Sequence, residues 1–111
     1  MTHEMKLREQ PFAAICEGRK RYELRLFDEK RRRITPGDEI IFTLAGTEKT
    51  VRRTVAALHV FPSFASLYSA LPLTECGYSE EELPAADPRD IREYYSEEDE
   101  LCFGVVAIEL L

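Results

Sequence analysis

Lys20, Glu23 and Arg25 stand within six residues of one another, close behind Gly18, and this is where the chain's fixed charges could do chemistry. The run Gly18-Arg19-Lys20-Arg21-Tyr22-Glu23-Leu24-Arg25 reads as a helix stop followed at once by a strand studded with charge. Arg31-Arg32-Arg33 follow a few residues later. Charges held on a rigid element beside a helix end suit an anionic or polar planar ligand.

Glu23 and Arg25 share a strand face and lie ~7 Å apart along it. They can form a surface ion pair contributing ~0–1 kcal/mol. They can also form a donor and acceptor wall for a base edge or phosphate, with Arg25 offering its planar fork. Lys20, at the helix–strand junction, is either a cation favoured by the helix end or, once deprotonated, a nucleophile or base. At an ordinary pKa of about 10.4 only about one lysine in a few thousand is neutral at pH 7. Cationic neighbours Arg19 and Arg21 favour loss of that proton, and Glu23 opposes it. Arg32 and its neighbours are either a phosphate-contacting loop or solvated charge. Tyr94 can stack on a base, whereas Tyr95, in phase with Ile91, reads as core. Phe64, Leu67, Tyr68 and Leu71 read as a core stripe.

The elements that must position these residues follow from pattern. His3 to Leu7 is a short first strand. Pro11 fits the first position of a helix whose inner face is Phe12, Ile15 and Cys16, and Gly18 ends it. Tyr22, Leu24 and Leu26 alternate with Arg21, Glu23 and Arg25, the period of a half-buried strand. Residues 28–33 read as a charged loop, and Pro36-Gly37-Asp38 as a turn. Strands are expected over 39–45 and 48–61. In the second, Val51 and Val55 take one parity while Leu58 and Val60 take the other, which calls for a bulge or bend between them. Ser63 caps a helix, residues 73–86 are irregular or briefly helical, and Asp87-Pro88 opens another short helix. Residues 96–100 read as an acidic turn, and Phe103 to Leu110 as a buried strand apolar on both parities. The expected fold is α+β around a small curled sheet. No glycine-rich phosphate loop follows a strand.

The chain has 111 residues and a net charge of −6, the size of one domain over residues 1–111. The charge is uneven: residues 19–33 sum to +5 and residues 75–109 to −10. A global excess of acid argues against indiscriminate coating of nucleic acid, while a local basic patch can still steer an anion. No apolar run reaches the ~20 residues of a membrane helix, and no apolar signal region opens the chain. A cytoplasmic protein is expected. Cys16, Cys76 and Cys102 have no zinc-ligand spacing, and only His3 and His59 supply imidazole, so neither metal nor cofactor is implied. Reduced, partly buried thiols are the plain expectation.

Gly18-x-Lys20-x-x-Glu23-x-Arg25 matches the G-x-K-x-x-E-x-R motif of the ASCH domains, named for activating signal cointegrator-1 homology. Ile34-Thr35-Pro36-Gly37-Asp38-Glu39-Ile40-Ile41-Phe42 resembles the segment leading into their next barrel strand. Tyr94-Tyr95-Ser96-Glu97-Glu98 and the closing Gly104 to Glu109 are similar to the C-terminal pattern of small bacterial members. The resemblance implies a PUA-like curled β-barrel with flanking helices over a cleft, and RNA or a modified nucleoside or nucleotide as partner. It places Lys20, Glu23, Arg25, Arg32 and Tyr94 at the ligand. It also admits an amidohydrolase on N4-acetylcytidine-type nucleosides. Such enzymes resemble this chain in a lysine at the Lys20 position and a later glutamate, for which Glu75 is the nearest match. Glu23 stands where their threonine falls, leaving Lys20, Glu23 and Glu75 as the catalytic candidates. A protein-interaction module using the acidic C-terminal half is the third reading.

Overall fold

The computed structural model describes all 111 residues. Strands β1 (Thr2–Leu7), β2 (Tyr22–Leu26), β3 (Glu39–Leu44), β4 (Thr50–Phe61) and β5 (Val105–Leu110) form one sheet in the order β1-β3-β4-β5-β2. Only β1 and β3 run parallel; the other pairs are antiparallel. β4 makes the sheet curl. Its first part pairs with β3, its last part with β5, and the register shifts between Val55 and Ala57. That is the change of phase the valines and leucines of β4 demanded, although Val60 stays exposed. Curling brings edge strands β1 and β2 toward each other, and Arg25 Nη2 donates to the Lys6 carbonyl across the seam at 3.2 Å.

Four helices flank the sheet: α1 (Glu9–Cys16), α2 (Glu29–Arg32), α3 (Phe64–Ala70) and α4 (Glu97–Phe103). Three 3-10 turns, Leu73–Cys76, Leu83–Ala85 and Pro88–Glu93, connect α3 to α4. α1 starts two residues before Pro11 and buries Phe12, Ala14 and Ile15, whereas Cys16 is exposed. Of the three thiols only Cys76 is buried.

Two charged stretches expected as loop and turn are helices instead. Asp28 caps α2 by accepting the Arg31 amide at 3.1 Å. Ser96 caps α4 by accepting the Asp99 amide at 3.1 Å, and the acids at 97–100 occupy its first turn. Negative charge there complements the positive end of the helix dipole. Phe103 therefore ends α4, and β5 starts two residues later.

β5 is apolar on both parities because it separates two cores. Val106, Ile108 and Leu110 join Met5, Phe12, Ile15, Ile40, Phe42 and Val55 inside the curl. Val105 and Ala107 join Leu26, Phe64, Leu67 and Ile91 beneath α3. Truncating a fully buried ring such as Phe42 costs about 3–5 kcal/mol. β2 pairs with β5, so its faces divide the same way. Tyr22, Leu24 and Leu26 pack on the second core. Glu23 and Arg25, opposite Ile108 and Val106, face into the curl. The alternation in β2 is real, but its charged face is not the wet one: Glu23 is only 3% exposed.

Candidate functional site

α1 ends where Gly18 takes φ +79, a left-handed conformation that glycine adopts without steric cost. The Ala14 carbonyl then accepts the amides of both Arg19 and Lys20, at 3.0 and 3.1 Å, and delivers Lys20 to the open seam. Lys20 Nζ lies 3.0 Å from Glu23 Oε1, and Arg25 Nη2 lies 3.2 Å from Glu23 Oε2. Burial alone would raise the Glu23 carboxyl, but Lys20 and Arg25 outweigh it and hold it below the usual carboxylate range. Burial likewise works against the Arg25 guanidinium, and Glu23 and Tyr95 together more than offset it, raising Arg25 further. One carboxylate thus answers two cations, and the trio carries an unmatched positive charge.

The trio forms one wall of a cleft of about 370 Å³. β1 supplies Lys6 and Leu7 and the following turn Arg8, while another wall comes from α3 and the 3-10 turns. That wall is aromatic, with Tyr68, Tyr78, Tyr94 and Tyr95 all bordering the space. Tyr95 stacks on Phe64, ring centres 5.9 Å apart and 12° from parallel, so it belongs to both core and cleft. Tyr94 is half exposed, with the Arg8 guanidinium 4.7 Å from its ring centre. Gly77 covers Lys20 lightly: a Cβ there would sit 3.6 Å from the ammonium nitrogen, and its φ of +112 excludes most side chains. Burial pushes the neighbouring Cys76 thiol up to about 11 against the pull of Lys20, so it stays protonated.

Of the residues picked out by sequence, Lys20, Glu23, Arg25 and Tyr94 meet in this cleft. Glu75 stands outside it, accepting the Arg21 amide at 2.7 Å through its carbonyl and pairing with the Arg21 guanidinium at 3.3 Å. Arg32 is also elsewhere, stacked 4.4 Å over Phe27 and donating to the Phe103 carbonyl. The basic stretch is largely neutralised in place, since Arg19, Arg21, Arg31 and Arg33 each pair with a nearby carboxylate. Tyr68, Gly77, Tyr78 and Asp90 line the cleft without having been singled out as site residues. Local spacing carries no signal for Tyr78 and Asp90, because they reach the cleft through turns that only tertiary packing fixes. No group of histidine, cysteine and carboxylate side chains is arranged to hold a metal ion.

A curled α+β barrel with a charged cleft at its seam is the architecture of a PUA-like domain. A family model for the ASCH domain matches residues 5–111, and the chain belongs to that family. It is similar to the hypothetical protein PH0355, with 37% identity, TM-score 0.81, and 99% of this chain and 97% of that one covered. It is similar as well to protein PF0455 from Pyrococcus furiosus, with 35% identity, TM-score 0.70, and coverage of 99% and 96%. An ASCH protein from Zymomonas mobilis shares the fold at 21% identity and TM-score 0.63, over 97% of this chain and 65% of that one. No curated protein matches. No helix is long and apolar enough to cross a membrane.

Proposed function

We propose that this ASCH domain binds RNA or a nucleotide through the seam cleft, with Lys20, Glu23 and Arg25 as its recognition wall. The unmatched positive charge of that buried trio carries the reading. A buried cation without a counter-charge is costly, and a ligand phosphate or ring acceptor relieves it. The tyrosines lining the cleft offer stacking surfaces for a base, each worth about 1–3 kcal/mol in single-strand binding. Lys20 and Glu23 act here as binding groups. Lys20 Nζ is paired with the Glu23 carboxylate at 3.0 Å. Glu75 pairs with Arg21 and is not among the residues that line the cleft.

Fluorescence anisotropy with labelled single-stranded RNA at low and moderate salt tests the reading. The Lys20→Ala, Arg25→Ala double variant is expected to bind at least about 30-fold more weakly, two charge-assisted contacts being lost. Arg32→Ala, away from the cleft, is expected to bind within about twofold of wild type, as surface substitutions do. RNA binding that survives the double variant unchanged would refute the cleft assignment.

A further inference from the structure

Among the residues that line the cleft with Lys20, three form a hydrogen-bond chain. Tyr68 Oη lies 2.7 Å from Tyr78 Oη, and Tyr78 Oη lies 2.8 Å from Asp90 Oδ2. Proton counting fixes its direction. A carboxylate only accepts, so the single proton of Tyr78 goes to Asp90, and the bond between the phenols must use the proton of Tyr68. Asp90 Oδ2 also accepts the Asp87 amide at 3.1 Å, half of a reciprocal cap that pins the carboxylate in place. Burial pushes both phenols above their ordinary value, which keeps these protons in position at neutral pH. Both phenolic protons are therefore committed within the chain. A ligand meets only lone pairs there: on Tyr68, on Tyr78, and on Asp90 Oδ1.

Lys20 presents the complement. Its side chain is nine-tenths buried, Glu23 is its one ionic partner, and Gly77 beside it carries no side chain. The remaining N–H groups of Lys20 are donors in the same cleft as those acceptors.

The geometry points to selective recognition of an amidine edge: an exocyclic amine next to an unprotonated ring nitrogen, as on adenine and cytosine. The amine donates to the Tyr68, Tyr78, Asp90 chain, and the ring nitrogen accepts from Lys20. Held in the same pose, hypoxanthine and uracil present the reverse, a carbonyl against lone pairs and a ring N–H against an ammonium. A site built to pair hydrogen-bonding groups rejects an analogue that leaves them unpaired. This inference rests on the nucleotide-binding reading and makes Tyr78 and Asp90 specificity-determining residues.

Calorimetric titration with AMP against IMP, and CMP against UMP, compares pairs that differ in edge and hardly in shape. Short homopolymers of the same four bases serve as parallel probes. Wild type is expected to prefer the amidine member of each pair by about tenfold or more. Tyr78→Phe, which frees the Tyr68 proton, and Asp90→Asn, whose carbonyl can keep the cap, are both expected to shrink that preference below about threefold. Equal affinity within each pair in wild type, or a preference untouched by both variants, overturns the inference and leaves the cleft reading standing. Failure of every mononucleotide and homopolymer to bind overturns both.

Discussion

Glu23 and Glu100 are both buried carboxylates with an arginine partner, yet their surroundings differ in charge balance. Glu100 receives Arg92 at 2.7 Å and the Phe64 amide at 3.2 Å, at the start of α3. One negative charge meets one positive charge and one helix end, and nothing is left over. Glu23 receives both Lys20 and Arg25, so the trio holds one positive charge more than it answers within itself, and it does so beside the cleft. A balanced buried pair ties helices together, whereas an unbalanced one at a cleft is half of an interaction that a ligand completes. Burial of a charge alone does not mark a site; its unanswered remainder does.

Glu23→Gln leaves two cations close together in a largely buried seam, and unfolding by urea is expected to show a loss of about 3–5 kcal/mol. A loss below about 1 kcal/mol, the range of an exposed pair, would mean that the trio is solvated and that the contrast with Glu100 fails.

Glu100→Gln should do less. Arg92 is 36% exposed and can return to water, so a loss of about 1–3 kcal/mol is expected. RNA affinity should stay within about twofold, as for a change remote from the site. An affinity loss as large as that of the Lys20, Arg25 double variant would couple α4 to the cleft and dissolve the distinction.

Acid sharpens the comparison with the smallest effect. The folded-state pKa of Glu23 is depressed, so its stabilising contribution is fully present above the unfolded carboxylate value near 4 and is lost as pH falls through the lower folded value. Asp38 acts in the same direction: a hydrogen bond from His3, then one from the Thr35 amide, holds it well below its ordinary value. The melting temperature is expected to be flat from about pH 7 to 5 and to fall below about pH 4. Glu23→Gln should flatten part of that fall and leave the part due to Asp38. An identical acid slope in wild type and Glu23→Gln would show that Glu23 is not depressed.

Much of the fold was legible because its signals are local. Gly18 ends α1 where a left-handed residue is needed, Ser63 and Asp87 cap as their side chains allow, and the phase change along β4 marks its bulge. The helical character of 28–33 and 96–100 was missed because charge density reads as loop, although a capping Asp28 or Ser96 overrides it. At the site, the grouping of Lys20, Glu23 and Arg25 was visible in their spacing. Their burial was not, because a period-two pattern says which residues share a face and never which face meets solvent.

The amino-acid sequence by itself determined the strands and their alternation, the position of the helix stop before Lys20, and which side chains could bear charge at the seam. These depend on backbone preferences over a few residues, and such preferences act before any long-range contact forms. It took tertiary packing to cover both faces of β2, to turn Glu75 and Arg32 away, and to bring Tyr78 and Asp90 into one cleft with Lys20. Those outcomes depend on how far the sheet curls and where the 3-10 turns pack, which is settled by burial summed over the whole chain and not by any local pattern.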